Sequence, residues 1–222
     1  MPTPSANGIG RLALGSNPYR RALYIFGMLP AVWYVYLGFT DQLGADPQKT
    51  LERLLGLWAL RFFIAALAVT PLRRFGGPNL LRYRRALGLI AFYYAALHLS
   101  VYIFLDQGLD LDAVWRDIVR RPYITLGMLA FAILLPLAVT SNAPMIRRLG
   151  GPAWNRLHRA VYVAALLAAL HFVLVVKAWL AEPLIYAAII VALLLVRLVP
   201  AKRSARRGAR SAALAQQALS RE

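Results

Sequence analysis

Apolar residues in this chain gather into long runs. They neither alternate nor keep to one helical face. Nearly uncharged stretches cover residues 23–39, 62–72, 86–105, 122–146, 160–176 and 183–196. A helix needs ~20 apolar residues to cross the hydrocarbon core of a bilayer. Extended to their nearest breaks, the runs predict spans near 22–40, 54–72, 86–105, 123–140, 159–178 and 184–200. The expected fold class is therefore an all-α membrane protein, a bundle of six transmembrane helices. Residues 1–21 read as an N-terminal lead, 22–200 as the helical domain and 201–222 as a basic tail. The short loops leave no room for a separate soluble catalytic domain.

The polar positions between the runs are not shared evenly. With the N-terminus assigned inside, the inner segments carry Arg11, Arg20 and Arg21, then Arg73, Arg74, Arg82, Arg84 and Arg85, then Arg147, Arg148, Arg156 and Arg159. The end adds Arg197, Lys202, Arg203, Arg206, Arg207, Arg210 and Arg221, and the one inner acid is Glu222. The outer segments hold six bases (Lys49, Arg53, Arg116, Arg120, Arg121 and Lys177) against eight acids. An excess of Lys and Arg in cytoplasmic loops sets orientation, so both termini are expected inside, N-in and C-in. The net charge of +17 then reports topology and contact with anionic membrane lipid, and argues for no nucleic-acid role.

Two segments repeat. RRFGGPNLLRYRRALGLIAFYYAALH (73–98) matches RRLGGPAWNRLHRAVYVAALLAALH (147–171) at an offset of 74, through the shared Gly-Gly-Pro and the flanking arginines. Both close on Ala-Ala-Leu-His, with the offset one shorter. The third and fifth helices thus form an internal repeat, entering from the same side. The repeat places His98 and His171 at one depth, and Arg84 opposite His158 at another. At ~1.5 Å per residue the two levels are roughly 20 Å apart. Thirteen residues from His158 to His171 leave the two about 140° apart in a straight helix, so a distorted first turn is expected there.

The three histidines of the chain all lie on this repeat. Ionisable groups inside spans are rare and usually functional. Zinc takes three or four protein ligands, and no Cys, Asp or Glu lies at the depth of His98 and His171. A haem needs only two axial ligands, so His98 and His171 are expected to ligate one b-type haem and serve as its metal ligands. With both axial positions filled, such a haem carries electrons and activates no substrate. His158, also a candidate metal ligand, would serve a second haem, a flavin or a quinone. Arg84 would be a weak ligand or a propionate clamp there. The inner ends are rich in guanidinium groups suited to carboxylates, so Arg85 and Arg159 are candidate propionate or cofactor contacts. Arg61, in the middle of the second span, is another.

The chain has no cysteine, which excludes disulfides, cysteine-held clusters and covalent c-type haem. The first run lacks an obvious signal-peptidase site and is expected to remain as a span. Its Trp33, Tyr34 and Tyr36 read as interface anchors. The outer loop 41–50 reads as a turn. The outer loop 106–121 has Leu111, Trp115, Ile118 and Val119 at helical spacing opposite charged positions. A short amphipathic helix on the outer surface is expected, resting at the interface or docking an outer partner.

The paired Gly-Gly-Pro turns, the ALH endings, six spans and His98, His158 and His171 resemble the ferric-reductase-like transmembrane family. Within it they resemble the haem-binding membrane subunits of bacterial periplasmic methionine sulfoxide reductase systems. The resemblance covers residues ~10–200. It implies haem b and FMN as cofactors and a place in the cell inner membrane. It implies electrons from the quinone pool or a cytoplasmic flavin reductase, passed outward to the periplasmic molybdopterin enzyme MsrP for repair of oxidised proteins. His98, His158 and His171 match the family's haem ligands, and Arg84 stands in place of a fourth. The chain has no flavin and nicotinamide domain such as the larger family members carry. It is expected to be an electron-transfer subunit with no complete active site, and no catalytic residue is assigned. Two other readings remain open: a haem-free transporter with a histidine proton relay, and a membrane assembly or anchoring factor.

Overall fold

The computed structural model describes residues 18–176 and 180–198. The expected basic tail, Lys177 and most of the N-terminal lead lie outside these. Nine α-helices follow in order among the described residues. They are α1 Pro18–Phe39, α2 Pro47–Arg74, α3 Leu81–Ser100, α4 Leu111–Arg120, α5 Pro122–Val139, α6 Ala143–Leu149, α7 Gly151–His158, α8 Val161–Val175 and α9 Ala181–Leu198. A π-helical turn, Val101–Asp106, prolongs α3. No strand occurs among the described residues. Six elements are long and apolar enough to cross a bilayer: α1, α2, α3 with its π turn, α5, α7 with α8, and α9. The six expected spans are present, with their starts moved.

The start of α2 moves to Pro47, inside the segment expected to be a plain turn. Asp46 caps it by accepting the Lys49 amide at 3.0 Å, and Pro47 fills a first-turn position whose amide would have no helical partner. The two Gly-Gly-Pro breaks share a backbone device. Gly76 and Gly150 both take positive φ, 86° and 75°, a region that disfavours any side chain. Between α7 and α8 the amides of Arg159, Ala160 and Tyr162 bond carbonyls three residues back, at 3.1, 3.0 and 3.1 Å. That is 3₁₀ winding, and each residue adds ~20° of rotation over an α-helix. It is the expected distortion beside His158.

The most extensive helix packing joins α2 to α3 and α5 to α8. α9 packs against α8 and α2, and α1 against α3 and α2. One apolar core lies between α2, α5, α8 and α9 around Phe63, Leu67, Ala164, Ala165 and Ile190. A second joins α1, α2 and α3 around Leu55, Ile90 and Tyr94. Outward-facing side chains are apolar too, including Phe26, Val32 and Trp33 on α1, as lipid exposure requires. Trp33 and Tyr36 stack at 5.6 Å in the C-terminal half of α1.

The expected outer-loop helix is present as α4. Val114 is buried and Ile118 half-buried, while Leu111, Trp115 and Val119 are exposed. The inward face is held by a polar contact as well: Tyr102, on the π turn, donates to Asp117 at 3.1 Å.

Fully buried Tyr94 of α3 ties α1 into the bundle. Its hydroxyl donates to the Gly27 carbonyl at 2.8 Å and accepts from the Ala31 amide at 3.1 Å. It thereby enters the backbone ladder of α1 one residue after Pro30. Tyr94→Phe leaves both backbone groups without that partner. It is expected to cost about 1–3 kcal/mol, read as a lower unfolding midpoint of the solubilised protein, with ring packing retained.

Candidate functional site

Two cavities lie between the helices, one toward each end of the bundle. The one at the α4 end, outer in the orientation expected from the charge pattern, has a volume of about 490 Å³ and is walled by α2, α3, α5 and α8. Both His98 and His171 line it, with Leu60, Ala95, Met128 and Phe172 among its apolar walls. The inner cavity, about 780 Å³, is lined by His158 together with Arg20, Arg82, Arg84, Arg85 and Arg159. Both volumes fall in the ~300–1,000 Å³ range of small-molecule sites. The cavities share three lining residues, Phe63, Ala91 and Leu134, all apolar. Beside that wall Phe131 of the outer cavity stacks on Phe92 of the inner one, with ring centres 5.5 Å apart.

The outer histidines are held alike. His98 Nδ1 lies 2.8 Å from the Glu52 carbonyl on α2, and His171 Nδ1 lies 2.7 Å from the Tyr123 carbonyl at the start of α5. A carbonyl oxygen only accepts, so each Nδ1 carries the proton and donates. Each neutral ring then has its lone pair on Nε2, the arrangement usual for a metal-bound imidazole. The ring centres are 6.2 Å apart and the planes 75° to one another. A metal bonded at about 2.0–2.1 Å to one nitrogen of each ring needs centres roughly 6.4 Å apart, since the nitrogen sits about 1.2 Å from its ring centre. The donor set and spacing therefore fit a bis-imidazole metal. No group of three or more His, Cys, Asp or Glu capable of holding a metal occurs among the described residues. A closed structural zinc site is not formed.

His158 is placed differently. Its Nδ1 donates to the Trp154 carbonyl at 3.1 Å, one turn back on α7. The Trp154 ring stacks on it with centres 3.7 Å apart. Ser141 Oγ lies 3.3 Å from Nε2, while also donating to the Leu137 carbonyl at 2.6 Å. The inner cavity thus combines one imidazole, an indole and five guanidinium groups, and no Asp or Glu among the described residues lines it.

Charge separates the two ends. The described ion pairs are Lys49 with Asp106 (2.6 Å) and Glu52 (3.6 Å), Arg53 with Glu182 (3.0 Å), Arg116 with Asp110 (3.8 Å) and Arg121 with Asp117 (3.0 Å). All sit at the outer end. Lys49, Arg53 and Arg121 also line the outer cavity. At the inner end arginines bond backbone and phenol instead: Arg74 to the Val196 carbonyl at 2.9 Å, and Arg197 to Tyr162 at 2.8 Å.

Of the residues singled out in the sequence, His98 and His171 share one cavity, and His158, Arg84, Arg85 and Arg159 share the other. Arg61 lines neither. It donates to the Tyr186 hydroxyl at 2.9 Å and its guanidinium lies 5.1 Å from the Trp58 ring centre. A phenol and an indole on the protein's own helices are thus its neighbours. The sequence reading passed over Gly56 and Gly127, which back the outer histidines, and Ser141 and Trp154, which flank His158. A signal for the glycines existed: Leu55-Gly56 and Leu126-Gly127 stand 71 residues apart, each with Ala three positions on.

Residues 55–169 match the model of the ferric reductase like transmembrane component family. The chain is 61% identical over 176 residues to the protein-methionine-sulfoxide reductase heme-binding subunit MsrQ of Brucella ovis, covering 79% of this chain and 80% of that one. The proteins of the same name from Brucella canis and Brucella melitensis biotype 2 are equally similar, over the same shares of each chain.

Because Arg61 faces its own aromatic neighbours, Arg61→Ala is expected to leave the cofactor content of the purified protein unchanged. The lost cation–π contact should lower thermal stability by about 1 kcal/mol. Pigment-to-protein ratio and unfolding midpoint measure the two effects, and loss of pigment would return Arg61 to a cofactor site.

Proposed function

The chain belongs to the ferric reductase like transmembrane component family, and from that premise we propose that it is the haem-binding membrane subunit of a methionine sulfoxide reductase system. Within it, His98 and His171 are the axial ligands of one b-type haem in the outer cavity. The observation that carries this is the pair of imidazoles 6.2 Å apart, each with its Nδ1 proton committed to a backbone carbonyl. Bound there, haem supplies a one-electron carrier within the apolar slab. The protein's part would be to fix both tautomers and exclude water with apolar walls.

The inner cavity is the entry site. Its arginines suit a phosphate or a pair of propionates, and Trp154 gives a flat apolar partner for a ring. This combination suits FMN, with its phosphate and its flat ring. Arg84, Arg85 and Arg159 would hold its anionic group. Electrons enter from the quinone pool or a cytoplasmic flavin reductase and leave at the outer face to the periplasmic molybdopterin enzyme MsrP. Both termini are cytoplasmic and the protein sits in the cell inner membrane. The excess of arginine and lysine at the inner end supports that orientation.

Haem-to-protein stoichiometry with reduced-minus-oxidised spectra tests the assignment. Purified protein should carry a b-type spectrum. His98→Ala and His171→Ala should each remove most of it, and His158→Ala should spare it while depleting flavin. A colourless protein that moves a solute would overturn the reading. Two haems with no flavin would replace FMN by haem at the inner site.

Orientation is open to a clean labelling experiment, because the chain has no cysteine of its own. Exposed Asp112 and Arg148 stand at opposite ends. A cysteine at 112 should react with a membrane-impermeant maleimide in spheroplasts, and one at 148 only after lysis. The reverse pattern would invert the topology.

A further inference from the structure

We infer that Gly56 and Gly127 are positioning residues whose missing side chains let His98 and His171 lie against the neighbouring helices and reach their carbonyl acceptors. The inference rests on the haem-ligand reading above and adds residues that neither the family nor the relatives' names assign.

The two seats are built to one plan. His98 donates to the carbonyl of Glu52 and packs on Gly56, four residues further along α2. His171 donates to the carbonyl of Tyr123 and packs on Gly127, four residues further along α5. In an α-helix the carbonyl at i points along the axis to the amide at i+4. A ring bonding the second lone pair of that carbonyl must lie over the residue at i+4. A Cβ at that residue stands in the ring's place. Built on Gly127, it would lie 2.9 Å from His171 Nδ1 and 3.0 Å from Cε1. Built on Gly56, it would lie 3.1 Å from His98 Nδ1 and 3.3 Å from Cε1. The atom crowded most closely in both cases is the nitrogen that donates. An alanine therefore displaces the ring from its acceptor and turns its plane. Gly127 is the tighter seat.

A carbonyl accepting from Nδ1 fixes the tautomer and raises the basicity of the metal-binding nitrogen. Basic axial ligands favour the ferric state. Weakening the bond at either seat should raise the midpoint potential of the haem and alter the ring orientation. A purely structural role for the glycines would lower stability and leave both unchanged.

The test uses the full-length protein with its cofactors. Gly56→Ala should keep haem near the wild-type ratio. Its low-spin ferric electron paramagnetic resonance spectrum should change and its midpoint potential should rise. Gly127→Ala should shift both further in the same sense, or lose part of its haem while the protein remains folded. Gly38→Ala, whose Cβ would meet only Leu43 Cδ1 at 3.5 Å, should match wild type. If Gly127→Ala does not accumulate, Gly56→Ala decides, since its ring need give only a few tenths of an ångström. Wild-type spectra and potential in the glycine variants, with haem lost from His98→Ala and His171→Ala, would sink the positioning role alone. Haem retained in the histidine variants would sink the ligand assignment first.

Discussion

Within a hydrocarbon slab no water completes a hydrogen bond, so every polar group placed there must find its partner in the protein. The histidine–carbonyl bonds of α3 to α2 and α8 to α5 answer that demand at the most sensitive place. Each imidazole presents one nitrogen to its supporting helix and keeps the other available. The same demand explains Tyr94, which closes a gap in the ladder of α1, and Arg61, which turns to Tyr186 and Trp58. It also explains why Arg74 and Arg197 clamp the inner end of α9 through carbonyls and a phenol. Helix association here owes little to a general aversion to water, since lipid is as apolar as leucine. Specific polar contacts and close approach at small residues do that work.

The spans and the matched histidines were legible because they follow from long-range composition and from a near-duplication of sequence. The inner cluster was legible for the same reason, since Arg84 and His158 occupy equivalent places in the repeat. Helix starts were less so. Asp46-Pro47 is a cap followed by a first-turn proline, yet the adjoining charges Lys49, Glu52 and Arg53 masked a span that begins at the surface. Arg61 could not be placed because its partner Tyr186 lies 125 residues away on α9, a pairing no local pattern encodes. The glycine seats were hidden differently. Gly56 and Gly127 matter through what they lack, and a missing side chain acquires meaning only when its neighbour is known. The π turn after Ser100 left no compositional trace; it sets Tyr102 against Asp117 and Asp106 against Lys49.

The two ends of the bundle are chemically opposite. The outer rim has acids and bases already matched across helices, from α2 to the π turn and from α2 to α9. The inner cavity gathers arginines with no carboxylate beside them. Such a field draws anions to the inner chamber and leaves the outer rim nearly neutral. Under the proposed role, one end would take in a charged redox carrier and the other would meet a macromolecule.

The wall shared by the chambers is made of Phe63, Ala91 and Leu134, with the Phe92–Phe131 stack beside it. None of these side chains can bind or release a proton. A barrier one side chain thick is permeable to tunnelling but offers hydrogen ions no stepping stone. Under the proposed role, negative charge moving outward through it travels without a compensating cation on the same route. Each turnover would then be electrogenic, and the resting voltage across the membrane, negative inside, would assist the flow.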